Sequence, residues 1–375
     1  MRVLELGKFY PPHHGGIETL LRSLCRGLAR RGAEVDCVVA NDAAGTTHEH
    51  DQGARIHRLA SFGTLFSASL CPGYVRATRR HPADVWHAHF PNPLADVTCV
   101  RGPREVPLVL SYHSDVVRQA SLMRLYRPLL LRLLRRANRI VVATPKHLEH
   151  SAWLPAFREK CEVIPYGINQ ERFSPTPELL RRADELRAQA GGRPILLNVG
   201  RLVGYKGQRY LVEAARNLQA AVWIVGTGPL DQELRALAGK LGLAERVRFW
   251  GSVDEGQLPA LFHACEVFVF PSISPNEAFG IAQVEAMACG KPVVCCSLPS
   301  GVPFVNQDGI TGLVVPPSDV AALARAILGL LDNQTWRRRL GEAGRRRARD
   351  EFSERVMVER YWDCFERLRS ASRRT

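Results

Sequence analysis

The chain lacks any run of about 20 uncharged residues, the length a membrane-spanning helix needs. Its leucine-rich stretches are cut by arginine, as where Leu129, Leu130 and Leu131 meet Arg132. The start, MRVLELGKFYPP, has no long apolar segment of the secretory kind, so the expected location is the cytoplasm. Ten cysteines occur without a single C-x-x-C pair. Cys25, Cys37, Cys99, Cys265 and Cys289 sit among apolar residues, which predicts buried free thiols in a reducing compartment, and the spacing argues against zinc. There is no Asp-x-Asp, no helix-borne histidine pair and no Gly-x-Ser-x-Gly elbow, so neither a metal site nor a serine hydrolase is indicated. The full G-x-G-x-x-G fingerprint is missing too. Gly15-Gly16 lacks the third glycine, and Gly226-Thr227-Gly228 is followed by Asp231 where that glycine would stand, which disfavours an NAD-dependent dehydrogenase.

What is present is an ordinary globular composition, 46% hydrophobic and 23% charged over 375 residues, enough for two cores. The net charge is +14, and residues 1–170 carry the larger excess, 23 basic against 14 acidic side chains. Such a balance suits a polyanionic partner: acidic lipid, a phosphorylated substrate or nucleic acid. A basic, solvated surface explains it equally. No basic recognition helix beside base-reading loops and no aromatic single-strand platform accompanies it, so nucleic acid is not the expected partner.

Strand and helix patterns alternate through both halves. Buried-strand runs fall at 2–6, 35–40, 54–59, 84–89, 107–112 and 139–143, with helical periodicity at 17–31, 92–101 and 121–136. After a proline-rich break, strands recur at 195–199, 221–225, 246–250, 267–270, 293–296 and 313–315. Helices are expected between them at 207–218, 229–241, 280–289 and 319–331. The reading is α/β: two doubly wound, Rossmann-like domains that bind a ligand beyond the carboxyl ends of their strands, in a central cleft. The expected boundaries are 1–170 for the first domain, 171–192 for a linker, 193–352 for the second domain and 353–375 for a C-terminal helix that packs back on the first. Residues 333–375 read as two Arg-rich surface helices whose RRR runs are solvated faces.

The segment PNEAFGIAQVEAMACGKP, residues 275–292, is the richest in chemistry. Glu277 lies in a loop after the VFVF strand, and Phe279-Gly280 opens a helix containing Glu285. The free N–H groups of Gly280, Ile281 and Ala282 then form an anion site. Carboxylates are poor phosphate ligands but good acceptors for sugar hydroxyls, so an anion site flanked by two of them describes a nucleotide sugar. A capping Glu277 and an exposed Glu285 are the plainer alternative. The same eight-residue spacing at Glu351 and Glu359 shows that spacing alone decides nothing. Arg201 and Lys206, in the loop GRLVGYKG, suit a diphosphate. Gly15 and Gly16, between the first strand and first helix, allow close backbone approach. His113 and Asp115 follow the strand PLVLSY, with His87 and His89 in similar positions. Alone, His113 reads more often as structural.

As an ordered set, FYPPHHGGIE, VIPYGINQERFSP, GRLVGYKG, EAFGIAQVEAMACGKPVV and DGITGLVVPP resemble glycosyltransferase family 4, the retaining enzymes of the GT-B fold. The match covers nearly the whole chain, with Tyr166 and Asn169 departing from the family's interdomain segment. SLPSGVPFVNQDGITGL narrows the likeness to bacterial mannosyl- and rhamnosyltransferases of surface-polysaccharide and lipopolysaccharide assembly.

The resemblance implies a metal-independent hexosyltransferase using a GDP- or UDP-sugar. Arg201 and Lys206 would hold the diphosphate, and Glu277 the donor-sugar hydroxyls. Phe279, Gly280, Ile281 and Ala282 would give backbone contacts, and Glu285 would bind the ribose. His113 would lie near the sugar, and Gly15 and Gly16 near the diphosphate and acceptor. The implied acceptor is a glycan or lipid-linked glycan at the inner leaflet. The stretch LMRLYRPLLLRLLRRANR, residues 122–139, is then either a peripheral face toward anionic membrane or a core helix with arginines at its edge. A GT-B epimerase or a phosphorylase is the alternative activity.

Overall fold

The computed structural model describes residues 1–13, 15–65, 68–115, 120–254 and 256–372. The chain divides into two units, Met1–Gly167 with Glu354–Thr375, and Ile168–Ser353.

The first unit contains strands β1 (Arg2–Leu6), β2 (Glu34–Ala40), β3 (Thr47–Asp51), β4 (Ala54–Leu59), β5 (Thr64–Leu65), β6 (Ala68–Ser69), β7 (Val85–Phe90), β8 (Leu108–Tyr112), β9 (Arg139–Val142) and β10 (Cys161–Val163). Its helices are α1 (Gly16–Arg30), α2 (Tyr74–Thr78), α3 (Pro93–Arg101), α4 (Ala120–Arg136) and α5 (Pro145–His150). Eight strands form one sheet in the order β10-β9-β8-β7-β1-β2-β4-β3. All its pairings are parallel except β3 against β4. The inner strands are buried on both faces because both are covered, and they are mostly apolar, with Glu5, Asp36, His87, His89 and Ser111 as buried polar exceptions. α1 buries Leu20, Leu21, Leu24 and Leu28 on one stripe. On the other face Leu130, Leu133 and Leu134 of α4 enter the core, while Arg127, Arg132 and Arg135 are exposed. For the described side chains of the 122–139 stretch, the leucine face is therefore a core face. The side chains of residues 122–125 lie outside the described set.

The second unit contains β11 (Ile195–Val199), β12 (Ala221–Val225), β13 (Val247–Gly251), β14 (Val267–Phe270), β15 (Val293–Cys296) and β16 (Gly312–Val315). Its helices are α6 (Pro177–Ala188), α7 (Gln208–Ala214), α8 (Asp231–Lys240), α9 (Gln257–Ala264), α10 (Ile281–Ala288), α11 (Val302–Val305), α12 (Val320–Asp332) and α13 (Gln334–Glu351). The sheet is wholly parallel, in the order β13-β12-β11-β14-β15-β16, which is the doubly wound 3-2-1-4-5-6 arrangement. Residues 171–192, expected as a linker, are folded into this unit. Thr176 caps α6 by accepting from Leu179 N–H at 3.2 Å, and α6 packs on α9.

The last two helices are not both surface elements. α14 (Glu354–Ser372) belongs to the first unit and packs on α1. Its Met357, Val358, Tyr361, Cys364 and Phe365 are buried. α13 lies against α10. Its arginine runs are only partly solvated: Arg337 donates to the Leu330 and Leu331 carbonyls at the end of α12, and Arg347 donates to Phe304 and Val305 carbonyls. All ten cysteines are unpaired, and eight are buried. Among the described residues no helix is long and apolar enough to cross a membrane.

Candidate active site

In the second unit the strand order reverses between β11 and β14. Loops leaving adjacent strands diverge at such a point and open a crevice beyond the carboxyl ends. The loop after β11 carries Arg201 and Lys206, and the loop after β14 carries Glu277. Gly207 adopts a left-handed backbone (φ +67°), and a Cβ there would lie 2.0 Å from the Pro271 carbonyl oxygen. Only glycine allows that approach. Ile273 N–H bonds the Tyr205 carbonyl at 2.8 Å and ties the two loops together. As a result Lys206 Nζ sits 2.5 Å from Glu277 Oε2, with the side chains 14% and 10% exposed. Ser272 Oγ donates to the same oxygen at 3.2 Å, and the Lys206 ammonium lies 5.0 Å from the Phe270 ring centroid. Arg201 is exposed; its carbonyl accepts from Gln208 Nε2, and no described acidic side chain pairs with its guanidinium.

α10 starts beside this pair. Its N-cap Gly280 is left-handed (φ +79°), and a Cβ would meet the Phe270 ring at 2.7 Å. The first-turn N–H groups of Ile281 and Ala282 have no intrahelical acceptor. The Phe279 side chain is buried and packs edge-on against Phe352 at 5.7 Å, so this residue offers a ligand its backbone only. Glu285, one turn along from Ile281, is half-buried. Desolvation raises its carboxyl to about 7, with Arg172 pulling the other way. The plainer alternative, in which Glu277 caps the helix, is not what forms, since the cap is Gly280 and Glu277 is held by Lys206.

In the first unit the order reverses between β1 and β7. Exposed Gly15 and Gly16 open α1, and the Glu18 carboxylate occupies the space where a Gly15 Cβ would stand. His13 stacks on Phe9 at 4.1 Å and bonds Asp42 at 3.1 Å. His14 lies outside the described residues. His113, at the end of β8, is 5% exposed. Its Nδ1 lies 2.7 Å from Tyr166 Oη and its Nε2 3.0 Å from His89 Nδ1. His89 in turn reaches Glu5. Asp115 takes no part in this. It accepts from Tyr112 Oη, Ser151 Oγ and Ala152 N–H at 2.8–2.9 Å and staples the loop after β8.

Among the described residues, folding also assembles two histidine–carboxylate groups that no spacing announced, Glu5–His87–His89 and Asp36–His57–His81, each with its ligand-type atoms within 4.8 Å of one another. In the second, Arg55 forks the Asp36 carboxylate at 2.9 and 2.6 Å, and His57 Nε2 bonds it at 2.7 Å. Burial opposes ionisation of Asp36, yet these partners hold it well below the carboxylate range. Both groups are knit by hydrogen-bond contacts. The sequence signal for the first group was present but divided: one acid inside the strand β1, and an H-x-H run far along the chain on β7, the strand that pairs directly with it.

Residues 183–347 match the family described as "Glycosyl transferases group 1", and residues 15–167 match "Glycosyl transferase 4-like domain". The chain is 34% identical to the O-antigen chain mannosyltransferase C of Escherichia coli, covering 98% of this chain and 99% of that protein. It is 36% identical to the D-rhamnosyltransferase WbpZ of Pseudomonas aeruginosa, covering 94% and 92%. A GDP-mannose-dependent alpha-(1-6)-phosphatidylinositol monomannoside mannosyltransferase of Mycolicibacterium smegmatis is 36% identical over 52% of this chain and 53% of its own length. Among solved structures, sucrose-phosphate synthase from Thermosynechococcus elongatus superposes with a TM-score of 0.79 at 25% identity, covering 99% of both chains.

Proposed function

This chain belongs to glycosyltransferase family 4, and from that membership we propose that it moves a mannose- or rhamnose-type hexose from a GDP-linked donor, with retention at the anomeric carbon, to a lipid-linked glycan of a cell-surface polysaccharide. That it is a hexosyltransferase of GT-B fold follows from the family itself. The sugar and the pathway rest on the names of the two full-length relatives. The guanosine base rests on the half-length relative named for GDP-mannose.

One observation carries the chemistry: the Lys206–Glu277 pair at the mouth of a strand-order reversal, beside the open first turn of α10. A diphosphate entering there draws the Lys206 ammonium to itself and frees the Glu277 carboxylate to accept hydroxyls of the attached hexose. Arg201 adds a second cation, and the Ile281 and Ala282 N–H groups donate to phosphate oxygens. As the glycosidic bond breaks, negative charge grows on the departing phosphate oxygen, and these donors stabilise it without a metal ion. The acceptor hydroxyl attacks on the face from which the nucleotide leaves, and its proton passes to that same phosphate oxygen. No side-chain nucleophile is needed. Glu285 takes the ribose hydroxyls, His113 the hexose, and Gly15 and Gly16 the diphosphate and acceptor.

The lipid-linked acceptor brings the enzyme to the cytoplasmic face of the membrane. The exposed Arg127, Arg132 and Arg135 of α4 and the net charge of +14 favour adhesion to anionic lipid by charge rather than by insertion.

Thermal unfolding with GDP-mannose, UDP-glucose and a dTDP-sugar is the direct test. Ligand at 100 times its Kd adds about 2.7 kcal/mol, worth several degrees for a unit of this size. The expected result is a rise with GDP-mannose, together with loss of most transfer in Lys206→Ala and Glu277→Ala proteins that still fold. No shift with any nucleotide sugar, or near-normal turnover by either variant, overturns the proposal.

A further inference from the structure

Glu5, His87, His89, Ser111 and His113 lie on one face of three neighbouring strands. The register sets Glu5 opposite His87, and His89 opposite Ser111. α14 covers this face, its Tyr361 and Phe365 rings 5.0 and 5.4 Å from the His87 ring. Glu5, His87 and His89 have essentially no solvent exposure. A buried carboxylate is costly unless every lone pair is met, and an apolar replacement is often no worse for stability. Its retention in the middle of the sheet asks for a reason.

The reason lies along a continuous chain of hydrogen bonds. Tyr361 Oη is 2.7 Å from Ser111 Oγ, which is 2.8 Å from His87 Nε2. His87 Nδ1 lies 2.8 Å from Glu5 Oε2, and the same oxygen is 3.1 Å from His89 Nε2. His89 Nδ1 is 3.0 Å from His113 Nε2, and His113 Nδ1 is 2.7 Å from Tyr166 Oη.

Donor counting fixes the direction of the last three links. Burial opposes ionisation of Glu5, but His87 and His89 outweigh it and hold the acid at about 2. It is therefore a carboxylate, which only accepts. His89 Nε2 must carry a proton. Burial, with His87 beside it, lowers the basicity of His89, so the ring is neutral and its Nδ1 is an acceptor. His113 Nε2 must then supply a proton to that acceptor. Burial, with His89, His87 and His147 nearby, pushes His113 well down, so it too is neutral and its Nδ1 is a lone pair. The Tyr166 hydroxyl, which burial keeps protonated, donates to it.

We propose that Glu5 and His89 are positioning residues of the transfer reaction: through bonds of 3.1 and 3.0 Å they lock His113 as its Nε2–H tautomer, so that the outer nitrogen, Nδ1, can only accept; it takes the Tyr166 hydroxyl, and a hexose hydroxyl that reaches it must replace that donor with its own. This rests on the reading of His113 as a sugar neighbour. It assigns the buried acid of β1 a role two residues removed from the ligand.

The test uses the full chain, labelled with 15N at histidine, with His113 assigned by a His113→Asn variant. The expected spectrum has His113 protonated on Nε2 and bare on Nδ1. Glu5→Gln puts an amide N–H donor where only acceptors stood and mixes or reverses that tautomer. In GDP release from GDP-mannose, kcat falls about 10- to 100-fold in Glu5→Gln and His89→Phe, while KM moves by less than about threefold. In the His113→Asn background either change costs less than about twofold more, because its effect passes through His113. His89→Phe leaves the Glu5–His87 pair intact, so it carries the test if Glu5→Gln does not fold. A proton on Nδ1 of His113 in the unmodified protein overturns the proposal, as does a loss that multiplies in full on His113→Asn. A normal rate for His113→Asn alone removes the reading of His113 itself, and that failure shows in the single variant.

Discussion

With Glu285 taking the ribose hydroxyls, as proposed, donor binding is expected to depend on pH, and the size of the coupling can be worked out. Desolvation on α10 raises its carboxyl from 4.5 to about 7. Ribose hydroxyls that donate to it favour the ionised form and return the acid toward its ordinary value. Donor binding then expels a proton wherever the free protein holds one. Below pH 7 affinity falls about tenfold for each pH unit. Between pH 8 and pH 5 the loss is about 100-fold, or about 2.7 kcal/mol. GDP-mannose suits the assay because its diphosphate, esterified at both ends, does not titrate in this range. Isothermal titration at pH 5.5 in buffers of different ionisation enthalpy will read close to one proton released. Glu285→Gln will bind about tenfold more weakly at pH 8 and show no slope. Stability moves in a related way. The folded pKa of this acid is raised above its unfolded value, so its contribution falls as pH climbs from 4.5 to 7, and Glu285→Gln recovers that loss at pH 8. Flat GDP-mannose affinity from pH 5.5 to 8, or a slope that survives in Glu285→Gln, refutes the reasoning.

The remaining predictions are structural and interfacial. Gly280→Ala forces a Cβ to within 2.7 Å of the Phe270 ring at a left-handed position, so it should cost about 1–3 kcal/mol in chemical denaturation and remove GDP-mannose binding together with the cap of α10. A variant that binds normally would detach the anion site from this helix start. Vesicles of anionic lipid should carry the protein to the top of a flotation gradient at low salt and release it at high salt, since screening shortens to about 3 Å at 1 M. Binding that persists in high salt would mean apolar insertion, which the inward-facing leucines of α4 do not favour.

Much of this was legible from the residues alone. Most inner strands of both sheets announce themselves as short, largely apolar runs, because a parallel sheet covered on both faces buries both sides of each strand. Lys206 and Glu277 were legible as members of loops after strands; their contact was not, because it depends on the order β11-β14, which sequence periodicity does not contain. β3 escaped notice since its residues, THEHD, are almost all exposed on an edge. Gly191, Gly192 and Pro194 drew the domain boundary toward them, whereas the chain leaves the first unit at Gly167. Glu5 is one polar residue in the strand RVLEL, and by itself it signals nothing. Its meaning comes only from the two histidines that the register sets beside it.

The placement of α14 has a consequence for how this protein is made. The first unit holds both chain ends, and the second is an insertion within it, residues 168–353. On the ribosome, the first sheet emerges early but must wait for the final nineteen-residue helix before Tyr361 and Phe365 can close over its polar interior. The second unit has all its residues in hand sooner and is free to finish ahead of the one that began. A nonsense codon shortly after residue 353 would thus spare the later-encoded body and leave the earlier one with an uncovered face.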